Sequence, residues 1–96
     1  MNVIIGALAK QEILDGFAWY DDQQLGLGIR FKSEVLAAIE RIILYPEINT
    51  EIDTGIRRIL VKSFPYMVIY SINRDSIEII AVAHQHRRPG YWQGGV

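Results

Sequence analysis

The chain has 96 residues, half of them apolar, with 10 Lys or Arg against 11 Asp or Glu and no cysteine. That length fits a single domain, residues 1–96, with one core, and the lack of cysteine excludes disulfides, thiolate metal sites and cysteine nucleophiles. Apolar runs such as residues 77–83 are broken by charge and too short to cross a bilayer. The start Met1-Asn2-Val3-Ile4-Ile5 carries no basic leader, so a cytoplasmic protein without membrane association is expected.

Residues 2–8 read as a short strand. Over residues 10–24, Ile13, Phe17 and Tyr20 recur at helical spacing with Leu14 and Ala18 beside them, and Asp15, Asp21 and Asp22 fall off that stripe. Gly16 lies inside this helix, at a cost of about 1 kcal/mol against alanine. Gly26-Leu27-Gly28 interrupts the pattern, and a second helix carries the stripe Phe31, Val35, Ala38, Ile39 and Ile42 until Pro46 closes it. The short link predicts an antiparallel helical hairpin.

Beyond Asp53 the period changes to two. Residues 56–63 alternate, with Arg58 and Lys62 on one face and Ile59 and Val61 on the other. Arg57 faces away from Arg58, toward an acid on the helical hairpin. Residues 67–72 and 76–83 are strands joined by the turn residues Asn73-Arg74-Asp75. The sequence thus predicts an α+β fold, with an N-terminal strand and a helical hairpin packed on an antiparallel sheet of about four strands. Trp19, Tyr66 and Tyr70 are expected in the helix–sheet packing.

Charge is unevenly distributed. Residues 1–53 hold four basic and nine acidic side chains, residues 54–96 six and two. The basic end concentrates His84, His86, Arg87, Arg88, Tyr91 and Trp92 within nine positions, with no acid after Glu78. Basic groups neutralise phosphate and aromatic rings stack on unpaired bases, so this cluster suits a nucleic-acid or acidic partner. The same types could equally fold a tail over an open core. His84 and His86 lack a neighbouring carboxylate, so no metal is expected, and nothing in the chain calls for a cofactor. The Gly26-Leu27-Gly28 segment follows a helix and lacks a third glycine, so it is no phosphate loop.

An ordered series of short motifs resembles the RelE/ParE superfamily of type II toxin–antitoxin toxins, often described as plasmid stabilisation proteins. The series runs Trp19-Tyr20, Gly26-Leu27-Gly28 with Phe31, Tyr45-Pro46, Arg57-Arg58, Phe64-Pro65-Tyr66 with Tyr70, and His84 with Arg87, Arg88, Pro89, Tyr91 and Trp92. The resemblance implies a bacterial growth-inhibiting toxin that a cognate antitoxin neutralises. One branch of that superfamily inhibits DNA gyrase by binding. The other cleaves mRNA on the ribosome without a metal.

The resemblance to the second branch would make Arg87 the group that stabilises the transition state, with His84 or Tyr91 moving protons. Arg58, Lys62 and Arg88 would contact the target, and Trp92 would cover a sheet edge or receive the antitoxin. That branch usually carries an arginine near the position held here by Met67, which cannot neutralise phosphate. The pI of about 6.1 is also low for a protein that settles into ribosomal RNA. The tail ends in Gln93-Gly94-Gly95-Val96, without the final basic residue of many relatives. The resemblance therefore leans toward gyrase, with mRNA cleavage, or a decayed toxin that keeps only antitoxin binding, as the alternatives.

Overall fold

The structure, a computed structural model, describes residues 1–93. Strand β1 (Asn2–Ile5) leads into helices α1 (Ala7–Gln23) and α2 (Leu27–Leu44). Four strands follow: β2 (Glu51–Asp53), β3 (Ile56–Leu60), β4 (Tyr66–Ile72) and β5 (Ser76–His84). The helical hairpin covers one face of the sheet, as the sequence predicts. The sheet has five strands, in the order β1-β5-β4-β3-β2. Strands β2 to β5 form an antiparallel meander, whereas β1 joins β5 in parallel, from Asn2 opposite Ser76 to Ile5 opposite Ile79. The sheet is therefore mixed, with a strand more than the sequence predicts. Strand β2, three residues long and exposed, carries too little apolar periodicity to be seen in advance.

Helix α2 buries the whole stripe Phe31, Val35, Ala38, Ile39 and Ile42. Helix α1 departs from its expectation in two ways. It begins at Ala7 rather than near Lys10, because Gly6 donates the last sheet-like hydrogen bond to the Ile79 carbonyl at 2.9 Å and the good helix formers Ala7, Leu8 and Ala9 follow. Its fully buried positions are Ala9 and Gly16, while Leu14 and Ala18 are exposed.

Gly16 is set by helix contact: a Cβ there would lie 2.5 Å from the Phe31 ring. That ring belongs to an aromatic cluster with Tyr20, Phe64 and Tyr66, at centroid separations of 4.8 to 5.4 Å for most pairs. Between the helices, the Asp21 carboxylate accepts hydrogen bonds from the Gly26 and Gly28 amides at 2.9 and 3.2 Å. An acid at the end of α1 thus satisfies the free amides at the start of α2, where the helix dipole favours negative charge.

Strand β3 ends at Leu60, earlier than expected. Val61 donates to the Tyr66 carbonyl at 2.9 Å, and Ser63 sits at φ +68° in the intervening turn. Lys62 therefore lies in a loop. Arg57 does not reach the helical hairpin. It donates to the Asn49 carbonyl at 2.7 Å and stands 4.0 Å from Glu51, so it braces the α2–β2 loop instead. Tyr70 is fully buried and its hydroxyl donates to the Pro46 carbonyl at 2.6 Å, fixing the same loop from below.

Strand β5 contains a bulge. Ile69 faces Ala81 and Tyr70 faces Ile79, leaving Ile80 as the extra residue. The bulge lets Ile77, Ile79 and Val82 all enter the helix-side core, although their spacing breaks strict alternation. A second, smaller apolar layer forms from Ile69, Ala81 and Ala83 with Ile56, Met67, Ile80, Tyr91 and Trp92. No helical-hairpin residue contributes to it, so this layer marks the opposite face of the sheet.

Candidate functional site

That opposite face carries the tail. After His84 the chain reverses: Gln85 donates to the Pro65 carbonyl at 2.8 Å and Arg87 to the His84 carbonyl at 3.0 Å. Pro89 disfavours helix at Arg88. Gly90 at φ +74° then turns the chain into a 3₁₀ segment, Tyr91–Gln93. Tyr91 and Trp92 lay their half-buried rings on the second apolar layer.

Two acids fasten this tail. The Tyr91 hydroxyl donates to Glu12 Oε2 on α1, and Gln93 Nε2 donates to Asp53 Oδ2 on β2 at 2.8 Å. The tail thus bridges the sheet from its β5 side to its β2 side.

Between the tail and the sheet lies a groove of about 400 Å³. Met67 and Ile69 of β4 line it together with Arg58 of β3 and Ile52 and Asp53 of β2, and Arg87, Arg88, Tyr91 and Trp92 close it from the tail. Three guanidinium groups face one carboxylate here. Met67, an uncharged side chain, lines the β4 side of this groove.

A second groove, of about 250 Å³, lies between α1 and the β5 edge. It is lined by Glu12, Asp15, Gly16, Trp19, Tyr66, Val82, His84 and Arg87. Trp19, expected in the packing, is 58% exposed here and stands edge-on to Tyr20 at 5.0 Å.

The sequence-predicted residues are therefore divided. Arg58, Arg87, Arg88, Tyr91 and Trp92 converge on the first groove. His84 lines the second, its ring 5.2 Å from Tyr66 and its Nδ1 accepting the His86 amide at 3.1 Å. Arg87 borders both. Lys62 lines neither. Trp92 packs on the sheet face, against the layer of Ile69, Ala81 and Ala83, and not on a sheet edge.

Glu12 is the residue that sequence reasoning missed. Its signal was a charge on the inward face of α1, three residues after Ala9 and four before Gly16. Its Oε1 accepts the Val82 amide at 2.8 Å. Strand β1 ends opposite Ile79, so no strand covers this edge of β5, and the carboxylate takes the place of a strand carbonyl. Burial lifts the Glu12 carboxyl above its ordinary range, although the Tyr91 hydroxyl, the Val82 amide and the Arg87 charge all pull it down. The Tyr91 phenol is raised strongly, first by burial and then by its bond to Glu12. Asp53 is held below the usual carboxylate range, by the Thr54 amide first and then by Gln93. Among the described residues no group of three or more His, Cys, Asp or Glu is placed to hold a metal.

Residues 3–89 match the family model of the ParE toxin of the type II toxin–antitoxin system, parDE. The chain belongs to this family. It is the toxin of a toxin–antitoxin pair, and an antitoxin is its partner. The chromosomal ParDE toxin–antitoxin system from P. aeruginosa contains a chain of the same fold, with a TM-score of 0.78 over 88% of the toxin and 95% of that chain at 9% identity. No curated protein matches the toxin in sequence. Among the described residues, no helix of the toxin is long and apolar enough to cross a membrane.

Proposed function

We propose that this toxin arrests growth by binding its target, that the target is DNA gyrase, and that the arginine-lined groove under the tail is the contact surface. In this reading residues 1–96 act as one domain in the cytoplasm, without a cofactor. One observation carries it: of the two proton-transfer candidates only Tyr91 lines the arginine-rich groove, and of the three arginines only Arg87 reaches the other. The Tyr91 hydroxyl is committed to Glu12 and its phenol is raised, while His84 lines the other groove. A general acid or base must reach the reacting atom within hydrogen-bond distance and titrate near the working pH. Arg58, Arg87 and Arg88 remain as binding cations, with Trp92 as an apolar anchor.

Antitoxin binding has a separate candidate surface. Ile29, Leu36 and Ile43 are exposed at seven-residue intervals along α2, and Leu25 is 89% exposed one turn earlier. An apolar stripe at that spacing suits a helix laid along it.

The test is controlled induction in bacteria carrying a DNA-damage reporter, with gyrase supercoiling measured on the purified toxin. Growth arrest with a strong reporter signal and blocked supercoiling is expected. Arrest with a silent reporter and cut mRNA on ribosomes would replace this reading with the nuclease, for which the three arginines would serve as phosphate contacts. No arrest would mean a decayed toxin.

A further inference from the structure

The tail cluster contains no acid in sequence, yet the fold supplies one from α1, and that carboxylate is linked in series to the groove. Val82 at the uncovered edge of β5 donates to Glu12 Oε1, Tyr91 donates to Glu12 Oε2, and the Arg87 guanidinium lies over the Tyr91 ring, 4.0 Å from its centroid. Arg87 is otherwise exposed and has no carboxylate within ion-pair distance among the described residues. A long cationic side chain without a fixed partner samples many rotamers, so one held on a ring meets its target at lower entropic cost. The other tail attachment, Gln93 to Asp53, lies at the solvent-exposed β2 edge, where a hydrogen bond contributes little.

We infer that Glu12 is a positioning residue for Arg87: anchored on the Val82 amide, its carboxylate holds the Tyr91 hydroxyl, and the Tyr91 ring holds the guanidinium at the mouth of the groove. The arrangement explains why a charge sits on the inward face of α1. It also explains why a tail that lacks a long helix or strand of its own keeps a defined path across the sheet. Glu12 touches no target in this scheme and acts through Tyr91. The growth effect rests on the groove being the target surface, as proposed above; the placement of the tail does not.

The experiment therefore has two arms. In the first, Glu12→Ala, Glu12→Gln, Tyr91→Phe and the double variant Glu12→Ala/Tyr91→Phe are digested with trypsin. Arg87 is the cleavable site of the tail, since Pro89 protects the bond after Arg88. Trp92 quenching is followed in a Trp19→Phe background.

Glu12→Ala and Tyr91→Phe should each speed cleavage about ten- to a hundredfold, the range for losing one hydrogen bond to a charged group. The double variant should be no faster than either single one, because both break the same link. Glu12→Gln keeps an acceptor for Val82 and a partner for Tyr91 and should stay near the parent. Tyr91→Phe leaves the Glu12–Val82 bond intact, so the arm stands even if Glu12→Ala unfolds. Multiplying effects, or cleavage and quenching at parental levels in Tyr91→Phe, would overturn the inference.

In the second arm the same variants are induced in cells. Growth arrest should weaken in Glu12→Ala and Tyr91→Phe and persist in Glu12→Gln. Should the tail loosen while arrest is unchanged, the groove is not the target surface and the proposed function fails, but the link from Glu12 to the tail stands.

Discussion

Gly28→Ala tests the closeness of the two helices. A Cβ at residue 28 would lie 2.6 Å from the Phe17 carbonyl oxygen, 3.0 Å from Asp21 Cβ and 3.1 Å from Phe17 Cγ. The first contact is with backbone, so no side chain can swing away. Restoring ordinary contact near 3.5 Å requires the hairpin to open by roughly 1 Å. Forcing a methyl into such a contact costs about 1–3 kcal/mol. Alanine returns at most about 1 kcal/mol of helix propensity, less in the first turn. Opening the hairpin also strains the bond from the Gly28 amide to Asp21, 3.2 Å in the parent.

A net loss of about 1–2 kcal/mol is expected. At roughly 4–8 °C per kcal/mol for a domain of this size, Tm should fall by about 4–16 °C. Thermal unfolding followed by circular dichroism reads this directly. Gly26→Ala is the contrast: nothing lies within 4 Å of its Cβ, and the cost comes from its φ of +92° alone. An unchanged or raised Tm in Gly28→Ala would show that the helices are not held at this spacing.

Three further outcomes are expected. Tyr70→Phe keeps the buried ring but strands the Pro46 carbonyl and removes a partner of Asn49, so a loss of about 1–2 kcal/mol should appear in urea unfolding, with an unchanged m-value. Burial first of all raises the phenols of Tyr20, Tyr66, Tyr70 and Tyr91. A phenol raised on folding contributes stability that is full below about pH 10 and is lost as pH climbs through the folded value. Most tyrosinate absorbance should therefore appear together with loss of far-UV circular dichroism, and early titration in a folded protein would contradict the packing. Replacing Ile29 and Leu36 with Gln and Glu should raise the solubility of the isolated toxin and lower antitoxin affinity at least tenfold by calorimetry, with little change in Tm because both side chains are exposed.

The stripe from Phe31 to Ile42 was legible because one face of α2 meets one core, and period alone decides which residues are buried. The start of α1 was not, since Ala7 to Ala9 fits a strand or a helix equally well until Gly6 is seen to end the sheet contact. The parallel partner of β1 could not be read at all, because pairing between distant segments leaves no local mark. In the site, the sequence showed the tail cluster from His84 to Trp92 and, apart from it, Arg58; that Arg58 joins Arg87, Arg88, Tyr91 and Trp92 in one groove without His84 depends on how the tail turns at Gly90. Glu12 and Asp53 stayed hidden because each lies far along the chain from the tail it binds, 79 and 40 residues away.

The pairing of β1 with β5 has a consequence for when the toxin comes into being. Strand β1 precedes its partner by the whole helical hairpin and three further strands. A growing chain can form the hairpin early, because its contacts are local, but the sheet that covers the buried stripe of α2 cannot close until Ser76–His84 has been made. The tail groove, which needs Arg87, Tyr91 and Trp92, comes later still. Unfinished molecules on the ribosome thus expose apolar surface without presenting an assembled groove.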